Sequence, residues 1–263
     1  MSYNFIFGGT NLSSLYGVTT SRPPIEIAEY DGELRSIPGC NGDEYIDNHR
    51  YKNVIFTREI GIIKRQSGNT YAIVENLIQW LAYSHGYQSF EDSDHPGMVT
   101  YAVLTNFNEV QIQLRRIHKA KLKFSRVPFW YLKTGTSEQH YTYAEIRDSV
   151  QMVNPYILES KPIIRAELIV IQTTSQIDFD IDINGVSITV GVIRRQAYEN
   201  SSLIIDTEKQ LVYVRNNSTG EKRMQNIDVP SNFCFSQGTN TITVTRRTST
   251  STDFYITPRW RCL

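Results

Sequence analysis

Around Asn184-Gly185 apolar side chains occupy every second position, with Phe179, Ile181 and Ile183 before the pair and Val186, Ile188 and Val190 after it. A period of two is the spacing of a strand with one buried face. Asn and Gly tolerate the positive φ of a type I′ turn, so the stretch predicts a tight β-hairpin. Similar alternation marks Ile163–Gln172, and Ser202–Asp206 and Gln210–Val214 flank the turn Thr207-Glu208-Lys209. Thr239–Arg246 and Asp253–Thr257 read as a last strand pair, with Thr248–Thr252 as its hairpin tip. Many short antiparallel strands between turns are the pattern of a β-sandwich.

The front half is also mostly strand. Tyr3–Phe7 alternates aromatic and polar residues before Gly8-Gly9, and Val54–Ile63, Met98–Thr105, Glu109–Arg116 and Lys119–Arg126 read as further strands. Residues 34–42, LRSIPGCNG, read as a turn-rich stretch that Pro38 and Gly39 keep irregular. The turn Gln66–Asn69 leads to the one clear helix, about residues 71–85 with Thr70 as its cap. Val74, Leu77, Ile78 and Leu81 make one apolar stripe on it, Gly86 ends it, and Trp80 and Tyr83 are expected to pack beside the stripe. A short helix is expected over Ala144–Gln151. The polar run after Gly135 places a joint at about 133–155, dividing the chain into domains 1–134 and 135–263.

Charge names no partner. Lys plus Arg and Asp plus Glu both number 27. Neither half carries the basic excess of a sequence-specific nucleic-acid binder. No apolar run approaches a membrane span, and no export signal is visible at MSYNFIFGGTNLSS. Cys40, Cys234 and Cys262 cannot all pair within the chain, which suits reduced thiols in a protein assembled inside a cell.

The sequence offers no catalytic constellation. Asp180, Asp182, Asn184 and Gly185 imitate the opening of a calcium loop, but the twelfth position, which needs a bidentate Glu, is Gly191. The hairpin reading puts those aspartates on the solvent face of a strand. His49, His85, His95, His118 and His140 have no metal-binding spacing. No nucleophile elbow, phosphate loop or dinucleotide fingerprint is present. Glu91, Asp92 and Asp94 fall in a polar, turn-like segment where water would leave their pKa values near normal. No catalytic residue, cofactor or metal is therefore expected. One surface stands out: Lys119, Lys121 and Lys123 alternate with Ala120, Leu122 and Phe124, a half-buried strand with a basic outer face toward a partner subunit or lumen.

Ordered along the chain, several segments resemble the distal tail proteins (Dit) of long, non-contractile tailed phages that infect Gram-positive bacteria. In the front half these are "LYGV" at 15–18, "RPP" at 22–24, "SIPGCNG" at 36–42, "LIQWL" at 77–81, "FEDSDHPG" at 90–97 and "LKFSRVPFWY" at 122–131. In the back half they are "LIIDTEKQLVYV" at 203–214, "FSQGTNTITVT" at 235–245 and "ITPRWRCL" at 256–263. Two departures are Asn154 followed by Pro155-Tyr156, where the family often has Gly, and Cys40, where a larger polar residue is common. The resemblance implies a mainly β chain: an N-terminal β-barrel or sandwich domain with one helix, and a C-terminal galectin-like antiparallel β-sandwich. It also implies a non-enzymatic homohexameric ring at the distal end of a virion tail, assembled in the host cytoplasm. Implied partners are the major tail tube protein, the tape-measure protein, the tail-associated lysin and receptor-binding or baseplate proteins. The alternative is a cell-wall carbohydrate-binding module of a phage tail. At 263 residues no inserted sugar-binding domain is expected.

Overall fold

A computed structural model describes residues 3–12, 18–24, 26–62, 70–168, 176–193, 200–247 and 252–263. The turn Gln66–Asn69, Ile63, part of "LYGV", the end of Ile163–Gln172 and most of Thr248–Thr252 lie outside the described residues. Two compact units divide between Trp130 and Tyr131, with Leu263 grouped in the first. The chain is mainly β, as expected.

In the first unit the strands are β1 (Phe5–Phe7), β2 (Thr10–Asn11), β3 (Val18–Thr20), β4 (Tyr30–Ser36), β5 (Asp43–Tyr51), β6 (Val54–Ile62), β7 (Gln88–Asp92), β8 (Met98–Leu104) and β9 (Lys119–Arg126). Helix α1 (Thr70–Tyr83) lies between β6 and β7, and α2 (Phe107–Ile117) between β8 and β9. One antiparallel sheet runs β2-β1-β7-β8-β9-β6-β3. Its inner face is aromatic. Phe56 and Phe124 stack at 5.2 Å across β6 and β9, Phe5 and Phe90 stack at 5.5 Å across β1 and β7, and the Phe7 ring meets the Phe124 edge at 4.9 Å. Such pairs add packing specificity to a large buried apolar area. Helix α1 buries the expected stripe of Val74, Leu77, Ile78 and Leu81. Trp80 packs beside it and donates to the Phe7 carbonyl at 3.2 Å, but Tyr83 is 84% exposed and does not pack.

Glu109–Arg116 is a helix, not a strand, so the described residues of this unit form two helices where the sequence predicts one. Val110, Ile112 and Leu114 alternate and so imitate a strand. The residues the fold buries are Val110 and Leu114, four apart, whereas Ile112 is 52% exposed. Four residues is one turn of helix, so burial follows the helical period. His118, in a left-handed conformation at φ 55°, ends α2 by donating its backbone N–H to the Leu114 carbonyl. A second difference concerns residues 34–42. Leu34–Ser36 extend β4, and only the stretch after them, through Pro38 and Gly39, is a turn. Strands β4 and β5 pair with each other as a separate two-stranded ribbon.

The unit boundary falls inside β10 (Trp130–Leu132), and the second unit goes on with α3 (Lys133–Thr136), β11 (Gln139–Tyr141), α4 (Tyr143–Arg147), β12 (Val150–Asn154), β13 (Ile163–Leu168), β14 (Gln176–Ile183) and β15 (Val186–Ile193). It continues with β16 (Ser201–Asp206), β17 (Leu211–Asn216), β18 (Lys222–Gln225), β19 (Gly238–Arg246), β20 (Phe254–Thr257) and β21 (Arg261–Cys262). A six-stranded sheet ordered β11-β20-β13-β16-β17-β18 and a four-stranded sheet ordered β12-β19-β14-β15 share one core. Phe179, Ile181 and Ile183 face that core, and the hairpin turn sits at Asn184 (φ 53°) and Gly185 (φ 85°), as the alternation predicts. β19 and β20 are not a pair: they belong to different sheets, since β19 bonds β12 and β14 while β20 bonds β11 and β13. Alternation reports a buried face but not which sheet supplies it. The expected short helix is α4, ending at Arg147 and started by a capping box between Thr142 and Glu145. Trp260 is buried against Phe235 at 5.3 Å.

Candidate functional site

Strand β9 presents the basic face its sequence predicts. Lys119, Lys121 and Lys123 point outward and Ala120, Leu122 and Phe124 are buried. Arg126, at the end of the same strand, turns inward instead, donating to the Val127, Pro128 and Glu26 carbonyls. Lys121 pairs with its cross-strand partner Glu59 at 2.9 Å. β9 pairs with β6 along its whole length, but with β8 only from Phe124 to Arg126. The remaining edge at Lys121 and Lys123 is covered by α2. Asn106 accepts from the Lys123 amide at 2.9 Å and donates to the Lys121 carbonyl at 2.8 Å, and Gln113 accepts from the Lys121 amide at 3.1 Å. A strand edge closed by side chains cannot recruit another strand, so strand addition is blocked at this stretch of β9. Beside it lies a cleft of about 280 Å³ lined by Ile60, Ile117 and Ala120 together with Glu59, Gln113, Lys119 and Lys121.

The β4–β5 ribbon is the second outstanding feature. Its root is anchored: Tyr30 meets Tyr51 at 5.0 Å, Tyr51 meets Phe129 at 5.7 Å, and Arg50 pairs with Asp31 at 2.6 Å. Beyond the root both faces are open. Leu34, Tyr45 and Ile37 are 69%, 54% and 39% exposed. Leu34 and Tyr45 are cross-strand partners, and the Tyr45 ring lies over Gly32, which has no Cβ to obstruct it. A lone two-stranded ribbon with apolar residues in water is marginal by itself. Cys40 stands exposed at its tip.

A buried charge cluster also exists where solvated carboxylates are expected. Asp92 is almost fully enclosed beside Arg58, at 3.5 Å, and accepts from His95 at 2.8 Å. Burial pushes the Asp92 carboxyl up, but the His95 hydrogen bond and the charges of His95 and Arg58 outweigh it and hold the group below its ordinary value. Asp92 therefore departs from the near-normal behaviour its polar segment suggests. The reason is that β7, paired with β1, carries it beside Arg58 of β6, which also bonds Tyr3 at 2.8 Å and stands over Phe56 at 4.5 Å. Glu26, 3.4 Å from Arg58, is raised chiefly by burial. These groups line a cleft of about 360 Å³ with Arg22, Pro23, Pro24, Asp94, Arg126 and Trp130. Their positive and negative charges neutralise each other, and they tie the segments carrying Tyr3 and Glu26 to β6 and β7.

The remaining candidates stay apart. Asp182 accepts from the Gly185 amide and Ser187, and Asp180 from Thr189 and Arg247, so both are used by the hairpin and its neighbour rather than turned toward one point. The histidines are dispersed, and among the described residues no three His, Cys, Asp or Glu side chains are placed to hold a metal. Burial pushes the Cys234 thiol up to about 11, with Glu159 adding to it. No described helix is long and apolar enough to cross a membrane.

No protein-family model matches the chain, and no curated protein matches its sequence. Solved structures do match. The crystal structure of SPP1 Dit, described as a paradigm of the hub adsorption apparatus in phages infecting Gram-positive bacteria, aligns over 100% of both chains with a TM-score of 0.58 at 14% identity. A chain of the phage P2 baseplate in its activated conformation with Ca aligns over 97% of this chain and 98% of that one, at 7% identity and a TM-score of 0.44. The first match shows that this chain has the distal tail protein fold from end to end; the second is too loose to argue from.

Proposed function

We propose that the protein is a structural hub of a phage tail tip or baseplate. It forms a homohexameric ring that links the tail tube to the tail-associated lysin and the receptor-binding components. The observation that carries this reading is the fold match over the full length of both units. The open ribbon supports it, because a marginal two-stranded arm with exposed Leu34 and Tyr45 gains stability when a neighbour covers it. Its place is the virion, at the distal end of the tail, with assembly in the host cytoplasm. Its partners are the tube protein, the tape-measure protein, the lysin and baseplate proteins, and its work is done by interfaces.

Among the described residues of the second unit nothing offers the carbohydrate-binding alternative an open aromatic platform. A sugar face needs an open Trp or Tyr, and in the second unit the exposed large hydrophobics among the described residues are Val153, Ile157, Leu211 and Met224. Trp260 is buried, and Tyr255 is covered by the Arg165 guanidinium at 3.6 Å. Light scattering combined with negative-stain imaging tests the hub reading. It expects six-fold rings with an open centre; a monomer at every concentration contradicts it. Saturable binding of purified cell-wall polysaccharide to the full chain would favour the alternative.

A further inference from the structure

The two conspicuous surfaces of the first unit have opposite charge. From Tyr30 to Tyr51 the ribbon carries Asp31, Glu33, Asp43, Glu44 and Asp47 against only Arg35 and Arg50. Toward the tip, Glu33, Asp43 and Glu44 are exposed and have no ion-pair partner among the described residues. The face built by α2 and β9 carries Arg115, Arg116, Lys119, Lys121 and Lys123. Of these, Arg116, Lys119 and Lys123 are exposed with no ion-pair partner among the described residues. The two surfaces also stand at different places along β6. The ribbon joins β6 at Val54, whereas Lys119 is registered with Gly61, roughly 23 Å further along at about 3.3 Å per residue.

We infer that the acidic β4–β5 arm of one copy docks on the lysine face of β9 and α2 of a second copy of this chain. This rests on the ring reading above and names the contact that closes it. Charge selects the occupant. Arm against arm, or lysine face against lysine face, would set like charges together, so a two-fold pairing through either surface is disfavoured. Arm against lysine face uses two different patches, which makes a head-to-tail contact, the kind that generates a ring when the rotation closes. The chemistry of the contact has an apolar part as well. The cleft lined by Ile60, Ile117 and Ala120 also has Lys119 and Lys121 in its wall, and the arm offers Leu34 and Tyr45 beside its carboxylates. An apolar anchor in a pocket ringed by charges is the usual make-up of an interface centre and its rim.

The test is a charge-reversal exchange on the full chain, read by light scattering. The arm variant is Glu33→Lys with Asp43→Lys and Glu44→Lys, and the face variant is Lys119→Glu with Lys123→Glu. Each variant alone should weaken assembly roughly tenfold or more, with thermal unfolding of the monomer unchanged because every substituted residue is exposed. The variant carrying both sets should recover much of the loss. Because Cys40 sits at the arm's tip, a short maleimide–succinimide linker on mixed isotope-labelled and unlabelled protein should also join Cys40 of one copy to Lys119, Lys121 or Lys123 of another. Wild-type protein that never leaves the monomer overturns the ring reading and this contact with it. Rings that survive both reversals, with Cys40 linked to other lysines, overturn the contact and leave the ring intact.

Discussion

At the residue scale, Asp92 and Gly135 give the sharpest tests. The Asp92 pKa is held below the ordinary carboxylate value by His95 and Arg58, which outweigh the opposing effect of burial. A depressed carboxyl contributes stability that is present above the unfolded-state pKa and is lost as pH falls through the folded one. Asp92→Asn should therefore lower unfolding free energy at neutral pH, and the gap from wild type should close in acid. A gap that stays constant from pH 7 down through the acid range contradicts this. The partner matters too: removing one side of a buried ion pair costs roughly 3–5 kcal/mol, so Arg58→Met should cost more than an exposed substitution such as Arg35→Met. Gly135 is a packing position, since a Cβ there would lie 2.6 Å from Cδ1 of Trp260 and 2.9 Å from its backbone nitrogen. Gly135→Ala should destabilise by about 1–3 kcal/mol, measured by denaturant unfolding.

At the element scale, α2 shows how one helix can finish a sheet. Asn106 and Gln113 supply the backbone of β9 with the partners that β8 does not reach. Replacing both with Ala should cost roughly 0.5–1.5 kcal/mol for each hydrogen bond lost, since these bonds lie where water can reach. Hydrogen exchange should rise at Lys121 and Lys123, and unchanged protection there would contradict the role assigned to α2. The same helix marks where sequence reading reaches its end. The hairpin at Asn184-Gly185 and the alternation of β9 are legible because one strongly apolar face repeats along each of them. Helix α2 is not, because Ile112 is apolar yet exposed and, standing between Val110 and Leu114, completes a false period of two. The arm is hidden for the opposite reason: with neither face buried, YDGELRS and DEYIDNHRY have no apolar rhythm to read. The enclosure of Asp92 is set by a neighbour more than thirty residues away in the chain, Arg58, which no local pattern reveals. Lys119, Lys121 and Lys123 are legible as a basic face because they alternate with buried Ala120, Leu122 and Phe124.

At the scale of the whole molecule, a mainly β chain with a charge-neutral composition carries its asymmetry locally, in an acidic arm and a basic face. A subunit built this way gains most of its meaning from its copies, since a contact between unlike patches can repeat until it closes. The full-length likeness to a tail hub fold fits a protein of that kind. Raising salt should loosen the assembly, because exposed charges are screened within about 8 Å at physiological ionic strength and less at higher salt. The most direct test is the mass of the purified protein in low-salt solution. The ring account predicts a species of about six times the 30.3 kDa chain mass, whereas a single species at the chain mass across all concentrations would contradict it.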